Sequence, residues 1–157
     1  LFGDGAGAMI LKASPEAGIL STHLHAEAAY KDLLYVSNDA GDSTIKMQGN
    51  KVFKLAIQKL SDAVEETLSA NEMQASALDW IVPHQANIRI INMIADKLSI
   101  PMDKVIVTVD HHGNTSAASI PLAFDHAVRA GQIKRNQTVL LEGFGAGFTW
   151  GSALIRY

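Results

Sequence analysis

Cysteine is absent from all 157 residues of this chain. The absence excludes disulfide bonds, thiolate metal sites and a cysteine nucleophile contributed by these residues. Charge is also sparse, with 18% charged residues and a net charge of −3, so we expect no nucleic-acid partner. No apolar run reaches the length of a membrane span, and we expect no membrane association. The composition, 48% hydrophobic, is typical of one globular domain, and the missing cysteines fit a reducing compartment such as the cytoplasm.

Apolar strands and amphipathic helices alternate along the chain. Apolar runs and helical spacing predict strands at 8–12, 18–25, 80–82, 105–109, 138–141 and 148–156, and helices at about 50–71, 88–98 and 116–130. Asn50 is a candidate N-cap for the first helix. The alternation predicts an α/β fold with a mostly parallel sheet. The chain begins at Leu1 without an initiator methionine, so we expect a piece of a longer polypeptide.

Two polar segments follow buried strands and open helices. Val82-Pro83-His84-Gln85-Ala86-Asn87 offers His84, and Gly113-Asn114-Thr115-Ser116-Ala117-Ala118-Ser119 offers Asn114. Such positions lie at the carboxyl edge of a sheet, where α/β proteins bind ligands. Two neutral donors directed at one carbonyl oxygen stabilise an enolate or oxyanion. The alternatives are a buried histidine bonded to backbone and an asparagine that serves only the turn.

Other motifs carry weaker signals. The glycine-rich turn Gly143–Gly147 lets backbone N–H groups approach a ligand, or it is a hairpin turn without such a role. Gly3-Asp4-Gly5-Ala6-Gly7-Ala8 fits a dinucleotide-binding pattern, but a strand rather than a helix is expected after it, which argues against a nucleotide. His23 and His25 share one face of a strand, yet no neighbouring carboxylates or cysteines complete a metal site. We therefore expect no metal.

Three motifs, in order, resemble one family. Val82–Asn87, Gly113–Ser119 and the run Gly143-Phe144-Gly145-Ala146-Gly147-Phe148-Thr149-Trp150-Gly151-Ser152-Ala153-Leu154 look like the β-ketoacyl-acyl carrier protein synthase III family. The resemblance implies a thiolase-like fold of two similar halves, each a mixed five-stranded sheet packed with helices. Residues 1–14 then match the last strands of a missing N-terminal half, and residues 15–157 match the C-terminal thiolase-like domain.

The family's chemistry uses a Cys-His-Asn triad. The cysteine takes an acetyl group from acetyl-CoA, and the histidine and asparagine stabilise the enolate formed when malonyl-acyl carrier protein loses carbon dioxide. By motif, His84 and Asn114 match that pair, whereas the cysteine has no counterpart here. The resemblance implies an oxyanion hole and pocket at Phe144, Gly145, Ala146 and Gly147. It also implies a homodimer that uses no cofactor beyond its substrates.

Further positions match the family's binding surfaces. Pantetheine binding is implied for Met47, Gly49, Asn50, Phe53 and Asn87, and recognition of the acidic carrier protein for Lys54, Arg89 and Lys97. Asn87 is equally suited to cap the helix that follows it. The three basic residues are also compatible with a solvated helix face.

The activity implied for the complete protein is the condensation that starts fatty acid synthesis. Because the nucleophile is absent, we expect the chain alone to be inactive. One alternative is half of another thiolase-fold condensing enzyme, of the polyketide or quinolone type. The other alternative is a non-catalytic binding or dimerisation fragment.

Overall fold

The computed structural model describes residues 1–38, 41 and 43–157. Six strands and four α-helices are assigned in them, connected by short 3-10 turns. In chain order these are β1 (Ile19–Ala26), β2 (Leu34–Val36), β3 (Ile45–Met47), α1 (Gly49–Ala70), β4 (Trp80–Pro83), α2 (Ile88–Lys97), α3 (Val109–His112), α4 (Ser119–Arg129), β5 (Thr138–Gly145) and β6 (Thr149–Arg156). The expected alternation of strands and helices is therefore confirmed.

The main sheet has the strand order β1-β6-β5-β4. The turn between β5 and β6 is too short for a crossover, so these two strands are antiparallel. β4 pairs parallel with β5, and β1 pairs antiparallel with β6. It follows that β1, β4 and β5 point the same way and β6 runs against them. A mixed α/β sheet is therefore confirmed; three of its four described strands point the same way, but only the β4–β5 pairing is parallel.

The number of strands in that sheet differs from the expected five. Instead of a strand at 105–109, the described chain makes a single parallel bridge between Val105 and Ile81, with the Ile106 N–H donating to the Ile81 carbonyl at 2.9 Å. β4 is only four residues long and ends at Pro83, whose nitrogen carries no hydrogen. Because Pro83 has no N–H to donate, the pairing between β4 and the segment at Val105 cannot continue beyond this bridge.

The strand expected at 8–12 is also absent. Within residues 1–18, all of which the structure describes, the backbone pairs as a strand only at the bridge from Phe2 to Asn114. A strand needs a neighbour that satisfies its N–H and C=O groups, and no strand among the described residues pairs with 8–12. Ile10 is 98% exposed and Leu11 is 77% exposed. Assignment of 1–14 to another half thus stays a prediction.

The core lies on both faces of the main sheet. On one face α1 and α2 bury Val64, Leu68, Ile91, Leu140 and Leu154. On the other, α4 covers a second group: Val82, Ile106, Ala123, Ala127, Ile133 and Val139. Neighbours along β4 and β5 alternate between the two groups, as strand geometry requires. No helix in the described ranges is both long enough and apolar enough to cross a bilayer.

The helix starts show which capping predictions hold. Asn50 does not cap α1, because this helix begins one residue earlier, where Lys51 and Val52 donate to the Gln48 carbonyl. The alternative role given to Asn87 is confirmed, since its side chain accepts the Arg89 N–H at 2.8 Å. α2 therefore begins at a fixed point just beyond His84.

Candidate active site

A cleft of about 530 Å³ opens at the carboxyl ends of β4 and β5. Its walls come from the first turns of α1 and α2, the strands β2 and β3, and the end of β5 with the turn after it. The cleft brings together most of the predicted site residues: His84, Asn114, Phe144, Gly145, Ala146, Met47, Gly49, Asn50, Phe53, Asn87 and Arg89. Gly147, Lys54 and Lys97 are not among the residues that line it.

His84 follows β4 directly, and two contacts hold it. Its backbone N–H donates to the Glu142 carbonyl of β5 at 2.8 Å, and Nδ1 lies 2.6 Å from Ser119 Oγ. Burial lowers the pKa of His84 below its ordinary value, so the ring is neutral at pH 7. Nε2 has no hydrogen-bond partner within the part of the chain that the structure describes.

Asn114 is 9% exposed and is held by both its side chain and its backbone. Its Oδ1 accepts the Ser116 N–H at 2.9 Å, and among the described residues Nδ2 has no hydrogen-bond partner. The Asn114 carbonyl accepts the Gly3 N–H at 2.9 Å, and its N–H donates to the Leu1 carbonyl at 3.0 Å. The amide nitrogen of the side chain is therefore available to a ligand in the cleft.

The alternating glycines Gly3, Gly5 and Gly7 have a packing role. In extended chain, every second residue faces the same side. A Cβ at Gly3 would overlap the His112 carbonyl oxygen, one at Gly5 would lie 2.9 Å from Leu122 Cδ1, and one at Gly7 would overlap the Pro121 ring. The motif thus lets the first residues lie directly against the segment that carries Asn114.

The glycine-rich turn closes one side of the cleft. Phe144 packs edge-on against Phe148, with ring centres 4.6 Å apart. Phe148 is fully buried, and its backbone exchanges hydrogen bonds of 2.8 and 2.9 Å with Glu27. These contacts hold the turn in place, so the backbone of Gly145 and Ala146 presents a fixed wall to the cleft.

Arg89 contributes the one charged side chain among the described residues that line the cleft. Its guanidinium carbon lies 5.1 Å from the centre of the Phe53 ring. Lys54 is exposed on α1, next to Phe53 but off the lining. Lys97 lies at the opposite end of α2, about 12 Å from Arg89 along the helix axis. Its Nζ is 3.9 Å from the Asp62 carboxylate. The structure therefore does not bring Lys97 to the cleft.

The paired histidines of β1 contact a carboxylate that sequence spacing did not indicate. Glu66 of α1 lies 3.4 Å from His23 Nδ1 and 2.6 Å from His25 Nε2. These histidines hold the carboxylate's pKa below its ordinary value. In the described ranges, no group of three metal-ligating side chains could hold a metal ion. The three residues join β1 to α1.

Two buried contacts of the site were missed by sequence reasoning. Gln85 lies in the segment Val82–Asn87 and Ser119 in the segment Gly113–Ser119, but the sequence pattern predicted no role for either residue. Ser119 is 35 residues from His84, and its Oγ also accepts the Gln85 N–H at 3.1 Å. A small polar residue at a buried helix start was the only available signal. Tertiary structure alone shows which ring it contacts.

Comparisons with known proteins point to one family. Residues 68–157 match the family described as 3-oxoacyl-[acyl-carrier-protein (ACP)] synthase III C terminal. The chain is 59% identical to β-ketoacyl-[acyl-carrier-protein] synthase III of Methylococcus capsulatus, over 100% of this chain and 51% of the relative. The Yersinia enterocolitica protein of that name is also 59% identical, over 100% of this chain and 50% of the relative.

A solved structure shows the same fold. The crystal structure of 3-oxoacyl-[acyl-carrier-protein] synthase III from Aquifex aeolicus superimposes with a TM-score of 0.88 at 38% identity, covering 93% of this chain and 46% of that one. The chain spans about half the length of the curated relatives it matches. On these grounds the chain belongs to the β-ketoacyl-[acyl-carrier-protein] synthase III family and corresponds to its C-terminal half.

Proposed function

We propose that this chain supplies the decarboxylating part of a ketosynthase III active site. The complete enzyme condenses acetyl-CoA with malonyl-acyl carrier protein and so starts fatty acid synthesis. One observation carries the proposal: His84 and Asn114 line the same cleft, and each has one side-chain nitrogen without a partner among the described residues. Two such N–H groups are suited to bind one thioester oxygen.

The proposed chemistry starts with the malonyl thioester. As its C–C bond to the carboxylate breaks, carbon dioxide leaves and the electron pair forms an enolate, with the charge on the thioester oxygen. Nε2–H of His84 and Nδ2–H of Asn114 donate to that oxygen, where charge develops. The carbanion then attacks the acetyl group on the cysteine, and the thiolate leaves. The product is acetoacetyl-acyl carrier protein.

The protonation state of His84 supports this role. A neutral ring donates a hydrogen bond without giving its proton to the carbanion, and burial keeps the ring neutral. Ser119 Oγ accepts the Gln85 N–H, which leaves its own hydrogen to donate to His84 Nδ1. The ring hydrogen then resides on Nε2, the nitrogen proposed to contact the substrate.

The nucleophile and the rest of the pocket are proposed to come from the N-terminal half. This chain holds no cysteine, so alone it forms no acetyl-enzyme. Ile10 and Leu11, among the most exposed apolar side chains of the chain, fit a segment that pairs with that half. We further propose the cytoplasm as its compartment, a homodimer as the complete enzyme, and no cofactor beyond the two substrates.

The residues that line the cleft are assigned to different parts of the substrate. Met47, Gly49, Asn50 and Phe53 line the cleft, and they are proposed to contact pantetheine. Arg89 lies on the cleft lining, where it attracts an acidic carrier protein. Phe144, Gly145 and Ala146 are proposed to contact the acyl group and its oxyanion.

The test uses a complete enzyme in which this chain follows the N-terminal half of the Methylococcus capsulatus relative. His84→Ala and Asn114→Ala are each expected to lower malonyl decarboxylation by about 10²-fold or more, while acetyl transfer to the cysteine continues. His126→Ala and Asn92→Ala, both exposed and outside the cleft, are the matched controls. Loss of acetyl transfer with decarboxylation intact would refute the assignment of roles.

A further inference from the structure

The side chain of Gln85 is fully buried and makes four hydrogen bonds. Nε2 donates to the carbonyl of Pro83 at 2.7 Å and to the carbonyl of Ile106 at 3.1 Å. Oε1 accepts the N–H of Thr108 at 2.8 Å and the N–H of Val109 at 3.1 Å. Both amide hydrogens and both oxygen lone pairs are therefore used, which saturates the group.

These bonds join two segments that the sheet itself joins weakly. Pro83 ends β4 and has no N–H, so the parallel pairing with the segment at Val105 cannot be extended past it. The described chain pairs there only through the bridge at Ile81. The Gln85 side chain continues the connection beyond the end of the strand, where the cleft begins.

The second segment leads to Asn114. The helix α3 has four residues and no side-chain cap of its own at Thr108. A helix of one turn is not stable alone. Gln85 Oε1 accepts the N–H groups at its start, and the helix ends at His112, with Gly113 as the C-cap directly before Asn114. The Gln85 side chain is therefore bonded to the start of the helix whose C-cap directly precedes Asn114.

We propose that Gln85 is the positioning residue that fixes Asn114 relative to His84. The inference rests on the proposed function, because it assigns Gln85 a role in aligning the two donors of one oxyanion site. The backbone N–H of Gln85 also donates to Ser119 Oγ, which contacts the His84 ring. One residue thus contacts the supports of both donors while touching no substrate itself.

Two variants in the complete enzyme separate positioning from folding. Gln85→Met keeps the length of the side chain but leaves two N–H groups and two carbonyls without their partner. Gln85→Glu keeps the acceptor for Thr108 and Val109, but an ionised carboxylate faces the carbonyls of Pro83 and Ile106. Protonation of that carboxyl restores one donor, so lower pH is expected to restore function in Gln85→Glu only.

The expected result is a split between the half-reactions. Displacing one donor by about 1 Å costs on the order of 10²-fold, so Gln85→Met is expected to lower the kcat of malonyl decarboxylation by that amount. Acetyl transfer to the cysteine and the KM for malonyl-acyl carrier protein should change by less than about threefold, since ground-state binding does not depend on donor alignment. In Gln85→Glu the kcat of decarboxylation should fall less than in Gln85→Met, and it should rise again as pH falls.

Gln137→Met is the matched control. Its Oε1 accepts from Trp80 Nε1 at 3.1 Å and from the Lys134 N–H at 2.7 Å, at the end of β5 away from the cleft. This variant should lower the thermal midpoint and leave both half-reactions unchanged. Hydrogen exchange across 108–114 is measured for all variants, and only the Gln85 variants should exchange faster there.

The possible outcomes separate this inference from the proposed function. If the unsubstituted enzyme does not decarboxylate malonyl-acyl carrier protein, the proposed function fails, and hydrogen exchange at 108–114 still decides whether Gln85 holds that segment. If decarboxylation proceeds and Gln85→Met retains it, the positioning role is refuted. A parallel loss of both half-reactions in Gln85→Glu, without recovery at low pH, refutes it as well.

Discussion

The hydroxyl oxygen of Ser119 lies 2.6 Å from Nδ1 of His84, although α4 and the end of β4 are far apart in sequence. Removing the hydroxyl leaves Nδ1 without its partner and lets the ring hydrogen redistribute between its nitrogens. Ser119→Ala also removes the acceptor of the Gln85 N–H, and it should lower decarboxylation by about tenfold. The pH profile of kcat is the measurement, and its lower limb should shift because the environment of His84 changes.

Ser61→Ala serves as the control for that substitution. Ser61 is also a fully buried serine, but its hydroxyl has no hydrogen-bond partner among the described residues. Its loss should change neither kcat nor the pH profile. An unaltered pH profile in Ser119→Ala would show that Ser119 supports packing and does not act on the histidine.

The contact between Gly3 and the Asn114 turn gives a second prediction. A methyl group at Gly3 would overlap the His112 carbonyl, so the backbone bridge to Asn114 must shift. We expect Gly3→Ala to lower decarboxylation by about 10²-fold through displacement of the donor, with acetyl transfer retained. In Gly18→Ala the new Cβ would lie 3.8 Å from the Arg156 carbonyl, an ordinary contact, and activity should be unchanged. Equal activity of the two variants would contradict the prediction.

Glu142 predicts a pH dependence of stability. Its carboxyl is fully buried with no partner among the described residues, and desolvation raises its pKa from 4.5 to about 8. Between those values the folded chain holds a proton that the unfolded chain has released. The free energy of unfolding contributed by this group therefore falls as pH rises from about 4.5 to about 8. Glu142→Gln, an uncharged isostere, should remove this decline.

The measurement is urea unfolding of both proteins at several pH values across that window. The difference in unfolding free energy between Glu142→Gln and the unsubstituted chain isolates the contribution of this group from the other titrating residues. It should increase with pH. A difference that is constant with pH would mean that Glu142 is ionised in the folded state.

Local patterns predicted much of the fold. Helices α1, α2 and α4 were predictable from the spacing of their apolar residues, and β4 and β5 from their apolar runs. Each of these patterns lies within one segment and shows which face of that segment is buried. The prediction of a strand at 105–109 was wrong because a strand needs a neighbouring strand to pair with, and Pro83 limits the backbone hydrogen bonds that β4 can make. The prediction of a strand at 8–12 was wrong for a related reason, since no strand in the part of the chain that the structure describes pairs with it.

The residues of the candidate site also differ in whether the sequence could predict their roles. His84 and Asn114 were predictable because each follows an apolar run, and the ends of such runs meet at one edge of the sheet. The roles of Ser119 and Gln85 were not predictable, since their partners are distant in sequence and no periodicity marks them. The contact of Glu66 with His23 and His25 likewise depends on how α1 packs on β1.

Arg89 provides the last prediction. Arg89→Glu should weaken the use of malonyl-acyl carrier protein far more than the use of acetyl-CoA, because the carrier protein is acidic and the reversal adds repulsion to lost attraction. The effect should shrink as salt rises, since exposed charges are screened. A glutamate in the first turn of α2 favours the helix dipole, so unfolding of α2 does not account for the loss.

The measured quantity is the ratio of kcat/KM for the two substrates at low and high salt. Lys134→Glu is the control, because it makes the same change in charge at an exposed position before β5, outside the cleft lining. Lys97→Glu should have a smaller effect than Arg89→Glu, since Lys97 lies off the cleft and beside Asp62. A loss in Arg89→Glu that is equal for both substrates and insensitive to salt would instead assign Arg89 to the stability of the cleft through its contact with Phe53.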